Sequence, residues 1–531
     1  MSRKKAAPSV LREESAPYRA EVVAGRSLAR TSDQPSFLDV FSGCGGLSLG
    51  FTAAGFQCLD GIETDPHAHE THARNFGGAR STHGPQDIRD LNARDYLGSR
   101  LPGKAAPTLI VGGPPCQPFT RVGRAKLREV SRLADAHLHD ERVTFYEHFL
   151  RFVDELRPLA FVMENVPDLC RFAGRNIAEE IALTAADLGY AVRYTLLNSV
   201  WYGVPQMRER VVIVGLRREL GLTPRFPRRT HRLLLPRGYF TGRLANGAIP
   251  VLPPHDHYAG QPDEIARPRP AVTAREALSD LPPIFDHLEH MQARCGARRF
   301  NRPVEYAGPP ANAYQRLMRK WPGFGEYGPP ADHVIRFTPR DYETFRRMQP
   351  GDQYPQAYAV ALERFEAALR REERTTGTRP REGAPRYEEL NKSIVPPYDP
   401  AKFPNKWEKL DPDQPAHTVT AHLGKDSYSH IHYDNVQARM ISVREAARLQ
   451  SFPDGFHFAG TMNPAFRQIG NSVPPLMVLA LAKSVREQLE QAGAIAHAWC
   501  KTADCPSTEL VGLAYDSEHA VPSSMEENNA R

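Results

Sequence analysis

Apolar and polar positions change rhythm twice along the chain. Residues 1–35 are polar, with small residues and scattered charges but no clear period, and read as a flexible tail. From Phe37 short apolar runs alternate with helical spacings. FLDVF (37–41), CLDGIE (58–63), TLIVGG (108–113) and LAFVMENV (159–166) read as strands. The His-rich stretch 66–75 reads as a helix, as does TFYEHFLRFVDEL, which sets Phe145, Phe149, Phe152 and Leu156 at helical spacing. Strand–helix alternation of this kind predicts a parallel sheet covered on both faces. AVRYTLLNSV (191–200) and RVVIVGL (210–216) read as two further strands. They are too close for a helical crossover, so they are expected to pair antiparallel.

After Leu216 the rhythm breaks. Residues 217–440 hold 28 of the 47 prolines, which interrupt long elements and predict a loop-rich region of short pieces. Helical patterning returns at VREAARLQSF and ends in VPPLMVLALAKSVREQLEQA, an amphipathic helix. The resulting division is a tail (1–35), an α/β domain (36–218), an irregular domain (219–415), a return segment completing both (416–492) and a second tail (493–531).

Composition narrows the class. A chain of 531 residues has room for two to four domains, and 41% hydrophobic with 24% charged residues suits a globular protein with a real core. The N-terminus lacks the apolar core of a signal peptide, and no window approaches the ~18 apolar residues of a membrane span, so a cytoplasmic protein without membrane contact is expected. The seven cysteines are scattered and odd in number, which disfavours a disulfide framework. Cys500 and Cys505 have no second ligand pair near them, so no metal is expected. The net charge of +6 permits a polyanionic partner. Residues 217–243 concentrate it, with eight arginines against Glu219, and are expected to grip phosphate chiefly through residues such as Arg225, Arg228 and Arg229.

The candidate chemistry sits at strand ends. FSGCGG (41–46) joins a strand to a helix, where glycines allow close approach of a ligand to backbone N–H groups; a plain tight turn is the alternative. Glu63 closes the next strand, 20 residues after Gly43, where a carboxylate can accept both hydroxyls of a ribose. Asp87, at the turn after a third strand position, either accepts from an adenine amino group or caps the turn. Together they predict a nucleoside site. In GGPPCQPF (112–119) three prolines stiffen a loop that presents Cys116, a potential thiolate nucleophile, at the sheet edge. ENV (164–166) offers Glu164 one strand along, as a protonated donor or a surface cap. QMRER (206–210) alternates Gln206, Arg208 and Arg210, able to clamp a carbonyl or phosphate.

The ordered set FLDVFSGCGG, IETD, DIRDL, GGPPCQPF, FVMENV, QMRERVVIVG, REAARLQSFPD and IGNSVPP resembles the DNA cytosine-5 methyltransferases of bacterial type. The resemblance covers about 37–217 and 416–490. Thr120 stands where the family commonly has Ser, and 121–142 is longer than usual. The resemblance implies a doubly wound, Rossmann-like methyltransferase sheet using S-adenosylmethionine (SAM), with a smaller target-recognition domain over 219–415. It implies that Cys116 attacks C6 of a flipped cytosine, that Glu164 engages N3 and the exocyclic amine, and that Arg210 steadies the carbonyl. Arg208 and Gln206 would order the catalytic loop. Phe41 would pack on the adenine, Glu63 hold the ribose and Asp87 the adenine N6. Asn471 and Ser472 would close the cofactor site, with Ser42, Gly43, Gly45, Gly46, Leu47, Ile88 and Pro114 completing it. The implied partner is double-stranded DNA bound by a monomer, with a cognate restriction endonuclease acting separately. Two rivals remain: a transfer-RNA cytosine-5 methylase, and a non-catalytic DNA-binding regulator on the same fold.

Overall fold

The structure is a computed structural model and describes residues 34–77, 84–100, 106–115, 144–233, 251–289, 304–325 and 328–495. Cys116, the segment 121–142 and nearly all of both tails lie outside the described residues.

The strands are β1 (Ser36–Val40), β2 (Gln57–Ile62), β3 (Leu109–Gly112), β4 (Ala160–Asn165), β5 (Tyr190–Asn198) and β6 (Glu209–Arg217), in the spatial order β2-β1-β3-β4-β6-β5. The first four pair parallel. β1, β3 and β4 are buried at every position, as expected of strands covered on both faces. β5 and β6 pair antiparallel, as their short connection requires, and β6 also pairs antiparallel with β4. The sheet is therefore mixed: β6 is inserted the opposite way between β4 and β5. That insertion brings the start of β6 to the edge where β4 ends.

In the catalytic half the helices are α1 (Gly46–Ala53), α2 (Pro66–His72), α3 (Ala93–Arg100), α4 (Phe145–Leu156) and α5 (Ile177–Asp187). Later come α6 (Ala274–Leu278), α7 (Asp286–Glu289), α8 (Ala313–Arg319), α9 (Tyr342–Arg347), α10 (Tyr354–Thr376) and α11 (Pro385–Ile394), then α12 (Val443–Leu449), α13 (Met462–Asn471) and α14 (Pro475–Gln491). One apolar core joins α1, the inner sheet face, 271–321 and the return helices; Phe51, Val212, Trp321 and Val478 all belong to it. A second lies on the other sheet face with Phe149, Phe161 and Ile181. A third, aromatic core is formed by Tyr342, Phe345, Tyr354 and Trp407, with Tyr428 stacked on Trp407 at 4.5 Å.

Several expected boundaries shift. Pro35, assigned to the tail, accepts from the Gln57 N–H, and Ala494 and Ile495 are buried in the main core. Residues 257–259, assigned to the irregular domain, pair with the outer edge of β5 through Tyr194, and Val251 is buried in the core of the sheet's other face. Residues 271–321 likewise pack on the return helices rather than apart from them. Proline-rich composition marks where elements are short, but it does not show which core they join.

The basic stretch is also placed differently from the expectation. The Arg225 N–H donates to Gln488 and its guanidinium to Gln491, in the last turn of α14. The Arg228 guanidinium donates to the Glu264 carbonyl, and that of Arg229 lies 5.2 Å from the Trp201 ring. Arg217 pairs with Glu219 and Arg232 with Glu264. These arginines dock a connecting segment onto the catalytic half. Arg217 and Arg232 thus have acidic partners, whereas Arg225, Arg228 and Arg229, from which a phosphate grip was expected, meet neutral groups.

Candidate active site

A cavity of about 870 Å³ opens at the carboxyl ends of the parallel strands. Of the residues expected to bind a cofactor, Phe41, Ser42, Gly43, Gly46, Leu47, Glu63, Asp87, Ile88, Pro114, Asn471 and Ser472 line it. Gly45 does not. It caps α1 with φ 102°, and a Cβ there would lie 2.3 Å from the Phe76 ring, so its task is conformational. A Cβ on Gly46 would lie 2.1 Å from Ser472 Oγ, so glycine lets α1 meet the return segment directly.

The loop after β1 is held by Glu63. One carboxylate oxygen accepts from the Gly43 N–H at 2.9 Å, the other from Thr64 and Asp65 N–H at 2.8 Å each. Phe41 sits at φ 64° and meets Phe145 edge-on at 5.7 Å. Asp87 does not follow a strand among the described residues. It caps the turn Ile88–Asp90 and pairs with Arg89 at 2.8 Å, and the Arg89 hydrogen bond holds its carboxyl below the ordinary range.

At the other end stand Glu164 and Arg210, with Nε and Oε2 3.3 Å apart. Burial raises the Glu164 pKa, against the opposing pull of Arg210 and Arg208. Its Oε2 has no hydrogen-bond partner among the described residues, and neither has Ser42 Oγ. Both groups are buried and both residues line the cavity, which marks it as a site for a polar ligand. Asn165 donates from Nδ2 to the Pro114 carbonyl at 3.2 Å, so the end of β4 pins the loop leading to Cys116.

Gln206 and Arg208 are placed elsewhere. Both are buried and neither lines the cavity. Gln206 accepts from the Val419 N–H and donates to the Leu449 carbonyl; Arg208 donates to the carbonyls of Val419 and Gly470 at 2.6 and 2.9 Å. They fasten the return segment to the start of β6; the catalytic loop that they were expected to order lies outside the described residues. β6 begins only at Glu209, so Gln206 and Arg208 precede the strand that carries Arg210.

Sequence reasoning passed over Asp65, Asn165, Arg467 and Gln468, although each lies inside a quoted motif or beside one. Arg467 of α13 and Asp65 at the start of α2 pair at 2.9 Å across the cavity wall. Each lining arginine thus has an acidic neighbour that also lines the cavity: Arg89 with Asp87, Arg210 with Glu164 and Arg467 with Asp65.

The family description C-5 cytosine-specific DNA methylase matches residues 36–246 and 343–487, more than half the chain. The chain belongs to this family. It is 36% identical over 464 residues to a protein of Oceanobacillus iheyensis named as a type II methyltransferase, M.OihORF3336P, covering 86% of this chain and 96% of that one. It is 31% identical over 472 residues to the type II methyltransferase M.AgeI of Thalassovita gelatinovora, covering 85% and 98%. A solved structure described as a DNA modification methyltransferase encoded within an E. coli prophage superposes with TM-score 0.52 at 23% identity, covering 86% of this chain and 99% of that one, which shows a shared fold. This cytosine-5 DNA methyltransferase thus carries its family match on both sides of 247–342. Among the described residues no helix is long and apolar enough to cross a membrane, and no group of three or more His, Cys, Asp or Glu is arranged to hold a metal ion.

Proposed function

We propose that this DNA cytosine-5 methyltransferase takes its methyl group from SAM and works through a covalent bond between Cys116 and C6 of a flipped cytosine. The observation carrying this is the paired Glu164 and Arg210 in the same cavity as Phe41, Glu63 and the unpartnered Ser42 hydroxyl. The cavity's size is within the range of small-molecule sites. Bound there, SAM supplies an electrophilic methyl group; Glu63 and Asp87 offer acceptors to its hydroxyls and amine, and Phe41 an apolar face.

The residues of the chain do the rest. A cytosine C5 is a poor nucleophile until a group adds at C6, so the Cys116 thiolate bonds C6 and electron density moves to N3 and C5. Glu164, whose carboxyl is shifted upward by burial, holds a proton at N3, and the Arg210 guanidinium donates to the carbonyl oxygen. C5 then takes the methyl group. Loss of the C5 proton to a base expels the Cys116 thiolate and restores the ring. Duplex DNA buries C5, so the base must leave the stack.

The substrate read by the enzyme is duplex DNA, with 219–415 supplying most base and backbone contacts. The type II names of the relatives favour a restriction endonuclease as a separate partner, and the reading includes action by a monomer on cytoplasmic, nucleoid DNA. Retention of Glu164 and Arg210 as a pair argues against a non-catalytic regulator. The experiment is bisulfite sequencing of DNA from an otherwise unmethylated host expressing the chain, beside labelled SAM incubated with plasmid or transfer RNA. A single protected sequence motif and label in plasmid support the reading. Label in transfer RNA alone would replace it.

A further inference from the structure

Three residues lining the cavity carry a buried side-chain oxygen without a hydrogen-bond partner among the described residues: Ser42 Oγ, Glu164 Oε2 and Gln86 Oε1. Ser42 and Glu164 belong to motifs discussed above. Gln86 has no task in the mechanism. It is only half-buried, and a glutamine so placed can ordinarily turn its amide oxygen to water. This one keeps the oxygen inside the cavity wall, an unmet acceptor that calls for a donor.

The surroundings of Gln86 indicate what that donor belongs to. The Gln86 N–H donates to the Glu63 carbonyl at 2.8 Å, which ties it to the loop after β2. Its neighbour Asp87 is already engaged. Oδ1 accepts from the Arg89 N–H at 2.9 Å and from Nε at 3.1 Å, and Oδ2 from Nε at 3.1 Å and Nη2 at 2.8 Å. Each Asp87 oxygen thus accepts twice, while Gln86 Oε1 beside it accepts nothing. Arg89, held on Asp87, lies 5.5 Å from the Phe145 ring, which in turn meets Phe41. Phe41, Ile88 and Phe145 all line the cavity. Apolar faces with a carboxamide at their edge suit a flat heteroaromatic base.

We propose that Gln86 is a specificity-determining residue for the adenine of the cofactor, its carboxamide accepting from the N6 amine and donating to N7. The inference rests on the donor reading above. Adenine presents a donor beside an acceptor on this edge, and a carboxamide presents an acceptor beside a donor at matching spacing, the pairing by which glutamine recognises adenine in DNA. The N6 amine has two hydrogens. The one on the N7 side goes to Gln86, and the one on the N1 side is left for Asp87. A base with an oxygen at position 6 offers Gln86 Oε1 no donor and leaves it unpaired in the wall, which excludes such nucleosides from the cavity.

The test is calorimetric binding of S-adenosylhomocysteine and of its 7-deaza analogue, in which C7–H replaces N7, to the full chain. In the wild type the analogue should bind about threefold to tenfold more weakly, the scale of one hydrogen bond. Gln86→Ala should weaken the parent ligand and bind both alike. Gln86→Glu keeps an acceptor for the amine but sets a second oxygen against the N7 lone pair, so the analogue should bind as tightly as the parent or more so. Equal binding of the two ligands by the wild type, or a wild-type preference kept by Gln86→Ala or Gln86→Glu, overturns the inference and leaves SAM as donor. A residue that only shaped the wall would weaken both ligands equally and keep that preference. Failure of both SAM and S-adenosylhomocysteine to bind the wild type overturns the donor reading and this inference with it.

Discussion

Arg210 Nε lies 3.3 Å from Glu164 Oε2, across the antiparallel pairing of β6 with β4. The register sets Glu164 opposite Val212 and Asn165 opposite Val211, so Arg210 reaches the strand end where Glu164 points into the cavity. Without Arg210, burial would be opposed by Arg208 alone. Arg210→Ala should therefore raise the Glu164 pKa further, moving the pH limb that depends on its protonation to higher pH. Single-turnover rates against pH, with DNA saturating, check this. An unmoved limb would mean that Glu164 is not the titrating group.

Cys116→Ser should abolish methyl transfer and leave DNA affinity largely intact, because an alcohol is far weaker than a thiolate as a nucleophile. DNA carrying 5-fluorocytosine should form a covalent adduct with the wild type, since fluorine cannot leave as a cation. Denaturing gel electrophoresis reads the adduct, and turnover by the serine variant would refute the assignment.

Glu63 receives three backbone N–H groups, so its removal loosens the turn that bears Phe41 and Gly43 as well as any ribose contact. Glu63→Ala should weaken SAM binding by about 1–3 kcal/mol, the range for losing a hydrogen-bonded charged partner. Glu63→Gln, which keeps one acceptor, should lose less. Calorimetry on the free enzyme distinguishes the two, and an unchanged Kd in the alanine variant would exclude Glu63 from the site.

Neutralising Arg225, Arg228 and Arg229 together should cost stability rather than DNA affinity, because their partners are Gln488, Gln491, the Glu264 carbonyl and the Trp201 ring. Arg225 meets the end of α14 about 20 Å along the helix from Pro475, which adjoins the cavity wall. The slope of log affinity against log salt should stay at the wild-type value. Flattening by about 0.9 per arginine would restore the phosphate grip.

The return segment is joined to 271–325 by buried charges. Arg448 is held by Asp280 at 2.9 Å and Asp454 at 2.6 Å, and Tyr306 donates to Asp454. Arg448→Ala leaves the buried Asp454 without its ion-pair partner, while Asp280 keeps Arg319 at 2.6 Å, and should cost about 3–5 kcal/mol. Acid acts on the same region. Burial lowers His287 and His333 to about 4, and His432 to about 3, from an ordinary 6.5. The folded state keeps them neutral while the unfolded chain binds protons, so stability falls as pH drops below 6.5. Asp454 and Glu445, held low by Arg448 and Arg439, extend the loss below about pH 4.5. Melting temperatures at pH 7.5 and 5.0 should differ, and a flat profile would mean these histidines are accessible when folded.

Local order was legible from the sequence because it depends on local physics. The apolar runs that became β1 to β6 had nowhere polar to face, and the short link between β5 and β6 left only antiparallel pairing. The motifs that place Glu63, Glu164 and Asn471 needed only strand ends and glycine turns. The sequence did not show that β6 would insert beside β4, which alone brings Arg210 to Glu164. Nor did it separate Arg210 from Arg208 two residues earlier: one lines the cavity, while the other is buried against carbonyls 211 and 262 residues away. The partners of the arginines of 217–232 were hidden for the same reason. Charge is a property of a residue, but its partner is set by the fold, two positions away for Arg217 and 263 for Arg225, and burying or pairing a charge changes its energy by more than any local preference.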